Sequence, residues 1–205
     1  MEQACTEEMF LSDVKNHTVE ILKDDGVYRH VKFSNNGSSV YRFDLHTWPG
    51  ELCITGDCGT YVFRRIYDMF EFFRTDNSNN RLNINPDYWG EKLLSIGTNA
   101  GYEEFSAETF IKCVKEEIDN FFDDEEDDTL KKECWALVND ELMYCEYEFE
   151  YYQSINMFSD DRFPGLFDEF WEYNTKEYTF SYLWCLYAIV WGIDQYDKVK
   201  ATPST

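Results

Sequence analysis

The sequence predicts an α+β protein, with an N-terminal antiparallel sheet of four to five strands followed by a mainly helical C-terminal half. Three observations lead there. Between residues 18 and 63, short runs alternate apolar and polar residues with period two, and turn residues separate those runs. Beyond residue 66 the apolar positions recur at three- and four-residue spacing. Aromatics make up 19% of the 205 residues, enough large apolar surface to fold a chain whose net charge is −23.

Thr18 to Leu22 opens the sheet, Asp24-Asp25-Gly26 turns the chain, and Val27 to Phe33 alternates as a half-exposed strand does. Asn35-Asn36-Gly37 marks a hairpin leading into Val40 to Leu45. After Pro49-Gly50, Glu51 to Thr55 and Tyr61 to Phe63 supply two more strands around Gly56-Asp57-Cys58-Gly59. Ile66, Met69, Phe70 and Phe73 then take helical spacing, and Trp48, Phe63, Phe70 and Phe73 are expected in the core where sheet meets helix. Pro86 is placed to open a helix through Leu93 and Leu94, with Gly97 as its stop. Ser106 reads as the N-cap of a long helix carrying Phe110, Ile111, Val114, Ile118 and Phe121. A helix over Thr129 to Tyr152 follows, with Leu130, Cys134, Leu137, Val138 and Leu142 on one face. After the break at Phe163-Pro164-Gly165 come helical segments over Leu166 to Tyr173 and Phe180 to Tyr196. The expected organisation is one α+β domain over 1–205. The only subdivision the sequence suggests is a sheet-rich part, 1–97, and an acidic helical part, 105–198.

The run from Phe180 to Ile193 is shorter than the roughly 20 apolar residues a bilayer requires, with Glu177 and Asp194 near its ends, so it reads as a buried helix. The acidic start has no basic region before an apolar run, so neither a signal nor a transit peptide is expected. Seven cysteines without a small-scaffold pattern read as reduced thiols. The expected location is cytoplasmic, without a membrane partner; oligomeric state is not legible.

Charge is the informative feature. Residues 101–205 hold 8 Lys and Arg against 26 Asp and Glu. The densest stretch runs from Glu116 to Asp128, where nine of thirteen residues are acidic: Glu116, Glu117, Asp119, Asp123, Asp124, Glu125, Glu126, Asp127 and Asp128. Apolar residues lie within and after it, which fixes the acid on a folded surface rather than in a tail. Such a surface suits a basic partner, and strongly basic surfaces in cells are commonly those that bind nucleic acid. A helix rising about 1.5 Å per residue can match a duplex carrying one charge per roughly 1.7 Å, so residues 116–128 satisfy the charge density for DNA mimicry. Plain docking onto a basic patch uses the same residues, and sequence does not separate the two. Direct binding of DNA or RNA is not expected, because the chain repels phosphate.

Catalytic constellations are weak, and the chain is expected to be no enzyme and to need no cofactor. Cys53 and Cys58, with His46 upstream, offer metal or nucleophile chemistry only superficially, since no second close pair of ligands accompanies them; buried structural thiols are the simpler reading. Asp87, Glu91 and Lys92 resemble the groups of a metal-dependent nuclease but sit on one expected helix. The acidic run lacks the ligand alternation and glycine of a calcium loop. Arg64, Arg65, Arg74 and Arg81 form a modest basic cluster, read as pairing with the acidic half.

Two strings carry a resemblance: Tyr41-Arg42-Phe43-Asp44-Leu45-His46-Thr47-Trp48-Pro49-Gly50 through Tyr61-Val62-Phe63 and Asp68-Met69-Phe70-Glu71-Phe72-Phe73-Arg74, and Trp184-Cys185-Leu186-Tyr187-Ala188-Ile189-Val190-Trp191-Gly192-Ile193. The chain resembles a family of small accessory proteins encoded by phages and prophages, a family without a settled activity. The acidic run is not part of that pattern. The resemblance implies the cytoplasm of a bacterial host and a partner among its nucleic-acid-binding proteins. The leading expectation is an inhibitor of a host defence system, of the anti-CRISPR or anti-restriction kind, acting through its acidic surface. The alternatives are an accessory protein that binds recombination or replication proteins and, third, a small nuclease.

Overall fold

Six strands form the sheet, one more than the sequence suggested. The structure is a computed structural model and describes residues 4–74, 81–98, 101–123 and 128–202. Strands β1 (Thr18–Asp25), β2 (Tyr28–Ser34), β3 (Phe43–Trp48), β4 (Glu51–Gly56) and β5 (Gly59–Arg64) run as an antiparallel meander, and β6 (Leu93–Ile96) pairs with β5. Successive side chains point to opposite faces. Val31, Phe33, Phe43, Leu45, Leu52, Ile54, Tyr61 and Phe63 are buried on one face. His30, Asp44, His46, Trp48 and Cys53, at the other parity, stand on the opposite face.

Parity corrects one expectation. Trp48 is half-buried on the outer face, whereas Phe63, Phe70 and Phe73 are fully buried in the core. Leu93 and Leu94 belong to β6, not to a helix: α3 (Pro86–Gly90) ends first, and the open edge of β5 gains a partner in Leu93 to Ile96. The hairpin at Asn36-Gly37 does turn through positive φ, but the loop is longer than expected and β3 begins at Phe43 instead of Val40. Opposite the start of β3, Gly56 at the end of β4 allows close approach of backbones. A Cβ there would collide with the Arg42 carbonyl oxygen and lie 2.8 Å from the Phe43 Cα.

The chain forms two compact units, Met1–Glu103 with Tyr178–Thr205 and the intervening Glu104–Glu177. In the first, the long helix α7 (Phe180–Ala201) packs on the inner face of the sheet. Its run of apolar residues is explained by burial on several sides. Gly192 brings the helix backbone close to Leu45 and Phe33, while Trp184 meets Phe10 of α1 (Glu7–Val14) at 5.1 Å between ring centres. Tyr196 meets Phe70 of α2 (Met69–Phe73) at 5.3 Å. Each fully buried side chain of this size contributes about 1.5–3 kcal/mol. No helix among the described residues is long and apolar enough to cross a membrane. Helix α1 was not anticipated; Thr6 caps it by accepting from the Met9 N–H, and Glu7 and Glu8 favour its positive end. The expected boundary at residue 198 therefore differs from that of the compact units, because α7 shares the core of the sheet.

The second unit is built on α4 (Ala107–Phe121), α5 (Asp128–Leu142) and α6 (Glu148–Met157). Ser106 caps α4 as expected, accepting from the Thr109 N–H. Phe110, Val114 and Ile118 of α4 join Cys134, Val138 and Leu142 of α5 and Tyr151 and Ile155 of α6 in one core. The single helix expected over 129–152 is two. It stops after Leu142, and Glu150 then caps a fresh start by accepting from the Glu146 and Tyr147 N–H groups. Leu166 to Tyr173 is not an α-helix. Phe163, Leu166 and Phe170 are buried, but successive turns place them there, with three-residue hydrogen bonds and only Phe170–Glu172 in a 3-10 helix. Short strands β7 (Glu103–Phe105) and β8 (Lys176–Tyr178) pair where the chain leaves and re-enters the first unit.

Candidate functional site

The unit Glu104–Glu177 holds 23 acidic and 6 basic residues, so −17 of the chain's −23 sits on it. Within the predicted partner-binding set, Glu116, Asp119, Asp123 and Asp128 are exposed. Glu117 is half-buried and accepts a hydrogen bond from the Tyr173 hydroxyl at 2.9 Å; burial, then this bond, push the Tyr173 phenol up to about 12. Asp124, Glu125, Glu126 and Asp127 lie outside the described residues.

Two features change the picture drawn from the sequence. The acidic run is not one helix, since α4 ends at Phe121, buried Phe122 caps it, and α5 begins at Asp128. Among the described residues, helical rise carries the acidic run as far as Phe121 and again from Asp128. Second, cations interleave with the acid. Lys131 pairs with Asp119 at 2.7 Å, Lys132 pairs with Asp128 at 2.6 Å, and the Lys115 ammonium lies 4.6 Å from the Trp135 ring centre. Exposed pairs of this kind contribute only about 0–1 kcal/mol each, but they neutralise the corner locally.

The less compensated acid lies along α5 and α6. A groove of about 700 Å³ opens between these helices, lined by apolar Leu137, Tyr144 and Met157 together with acidic Asp140, Glu141 and Glu150. Asp160 also lines it; Arg162 bonds hold its carboxyl down to about 2. Two large side chains of the groove face solvent, Tyr144 at 78% exposed and Met157 more than half, and elsewhere on the unit Met143, Tyr147 and Phe149 are also more than half exposed. Tyr147 and Phe149 stack on one another at 6.1 Å. Single exposed hydrophobics are ordinary, but a group of them on one charged unit marks an interaction surface.

Three arginines of the basic cluster are paired, and Arg74 finds one of its partners, Asp197, in the acidic half as expected. Arg64 pairs with Glu51, Arg74 with Glu71 and Asp197, and Arg81 with Glu7, all within their own unit.

The Cys53, Cys58 and His46 grouping separates. Cys58 lies at the β4–β5 turn, where Cys185 Sγ approaches its carbonyl oxygen at 3.8 Å; burial first and then Asp57 push the Cys58 thiol up to about 12. Cys53 and His46 instead are register partners on the outer face, and His46 is also the partner of His30. One row across β2, β3 and β4 thus carries His30, His46 and Cys53. The imidazoles lie 4.1 Å apart between centres, tilted by 31°. Asp44, one pleat along β3, lies 3.1 Å from His30 Nε2 and accepts from the Arg42 Nε and Nη2 groups at 3.3 Å. Burial opposes ionisation of Asp44, but the bonds from Arg42 and His30 outweigh it and hold its carboxyl below the usual range. Burial, then the neighbouring His30, push the His46 pKa down, which favours its neutral form. All seven cysteines are free thiols.

No protein-family model, characterised protein or solved structure matches the chain.

Proposed function

We propose that the chain is a binding protein whose 104–177 unit docks onto the basic nucleic-acid site of another protein and keeps nucleic acid out of it. One observation carries this reading: a 74-residue unit combines −17 of charge with a group of solvent-facing aromatic and methionine side chains. Charge alone steers a partner and falls off within a Debye length of about 8 Å at physiological salt. Exposed apolar anchors on the same acidic unit supply the short-range contact that steering lacks, and aromatics are typical of such anchors. The division of the acidic run between α4 and α5 favours electrostatic docking over imitation of duplex geometry. The resemblance to phage accessory proteins makes host defence proteins that bind nucleic acid the first partners to examine.

The test is affinity capture from a bacterial extract at low salt, followed by competition between this chain and duplex DNA for the captured protein. The expected result is mutual exclusion, with affinity falling steeply as salt rises. A variant carrying Glu116→Lys, Asp123→Lys, Asp140→Lys and Glu141→Lys should lose capture. Tyr144→Ala with Met157→Ala should weaken it at every salt concentration. A complex that forms equally well with DNA already in place overturns the reading, as does saturable binding of DNA by the chain itself.

A further inference from the structure

We propose that the outer face of the sheet holds a site for one divalent transition-metal ion, ligated by His30, His46 and Asp44. The argument starts from register. Antiparallel pairing sets His30 directly against His46, and the two-residue period of β3 puts Asp44 on the same face as His46. Each of the three offers a ligand atom, and those atoms lie within 4.8 Å of one another. Ligands bound at about 2.0–2.2 Å in a tetrahedral site stand roughly 3.3–3.6 Å apart, so modest side-chain rotation brings this set to bonding distance.

The donors suit a particular class of ion. Two imidazoles and one carboxylate are the ligands of zinc or iron(II), and they disfavour magnesium and calcium, which take oxygen. No hydrogen bond among the described residues engages the His46 ring, so its nitrogens are free to ligate. Asp44 already has the support that metal-bound carboxylates use, with Arg42 holding both of its oxygens. Three protein ligands leave positions open to water. The histidines line a shallow pocket of about 350 Å³, shared with Tyr28, Trp48 and Cys53, in which a further ligand could sit. The half-burial of Trp48 on this face, unexplained by the core, gives that pocket an aromatic wall.

The experiment is calorimetric titration of the full chain with Zn(II), Co(II) and Mg(II) separately, at neutral pH under a non-chelating reductant. One Zn(II) or Co(II) per chain should bind saturably, and Mg(II) should not compete for that site. His30→Ala and His46→Ala should each weaken binding more than tenfold. Cys53→Ser and the fourfold acidic-to-lysine variant of the second unit should leave it within twofold, which separates this site from thiol or surface-carboxylate binding. Should a histidine variant fail to fold, protection settles the matter on the wild-type chain: Zn(II) should slow diethylpyrocarbonate modification of His30 and His46 but not of His17. Stoichiometric binding that survives both histidine changes, binding lost with Cys53→Ser, or no saturable binding of Zn(II) or Co(II) overturns the proposal.

Discussion

Arg29 and Asp68 form the most demanding polar contact of the sheet unit, and replacing Asp68 tests how that unit is held. The guanidinium Nη1 and Nη2 groups donate to the two Asp68 oxygens at 2.8 Å each, and the guanidinium carbon lies 4.6 Å from the Phe70 ring centre. Asp68 also accepts from the Phe70 N–H at 3.0 Å as the N-cap of α2. Asp68→Ala removes the cap, at a cost of about 1 kcal/mol. It also strands a cation whose side chain is 9% exposed; full burial would make that cost about 3–5 kcal/mol. Since Asp68 itself is 23% exposed, water enters where it was, and the second cost falls to about 2 kcal/mol. The sum is about 3 kcal/mol.

Asp68→Asn keeps a capping oxygen and one contact to Arg29, so about half of that loss is expected. Combining Asp68→Ala with Arg29→Met should cost about 1–2 kcal/mol less than the two single changes added together, because the stranded cation is gone. The assay is urea unfolding followed by intrinsic fluorescence across pH. Burial works against the Asp68 carboxylate, but the Arg29 bonds and the Phe70 N–H outweigh it and hold its pKa below the usual range. A carboxyl lowered on folding contributes stability that is fully present above its unfolded pKa, about 3.9, and is lost as pH falls through the folded value. The gap between wild type and Asp68→Asn should therefore stay constant from pH 7 to about 5 and shrink below about 4. A loss under about 1 kcal/mol for Asp68→Ala at pH 7, or a gap that does not narrow in acid, refutes the reasoning.

Two further outcomes follow from the same unit. Phe70→Ala removes a fully buried ring set against Tyr196 and should cost about 3–5 kcal/mol, read as a shift of the urea midpoint; a folded variant of unchanged stability would place Phe70 outside the core. Gly56→Ala forces β3 and β4 apart where Asp57 donates to the Arg42 carbonyl at 2.9 Å. A loss of about 2–4 kcal/mol with faster amide exchange along Phe43 to Leu45 is expected, and a neutral change would refute the close approach.

The fold class was legible because both periods are written plainly into the chain. Alternation between residues 18 and 63 marks the sheet, and Ser106 before Phe110, Val114 and Ile118 marks α4. The errors fall where one pattern has two physical solutions. Leu93 and Leu94 satisfy a short apolar helix turn or a strand, and the unpaired edge of β5, a tertiary fact, decides for the strand. Leu166 and Phe170 satisfy helical spacing, yet consecutive turns closed by three-residue hydrogen bonds bury the same residues.

The sites separate along a similar line. A dense run of acid is visible in any sequence, but whether it is free is a question of partners. Lys132 meets Asp128 one turn away on α5, but Lys131, next to that run in sequence, meets Asp119 only once α4 and α5 pack together. Tyr144, Tyr147, Phe149 and Met157 failed to stand out for the opposite reason: in composition they count as core. The histidine pair depends on register. A two-residue turn at Asn36-Gly37 would set Phe33 against Val40 and leave His30 and His46 on opposite faces. The longer loop sets Phe33 against Phe43, so that His30 meets His46. A shift of an odd number of residues in one hairpin moves every side chain of a strand to the other face, so the strands could be found from alternation while the site they build could not.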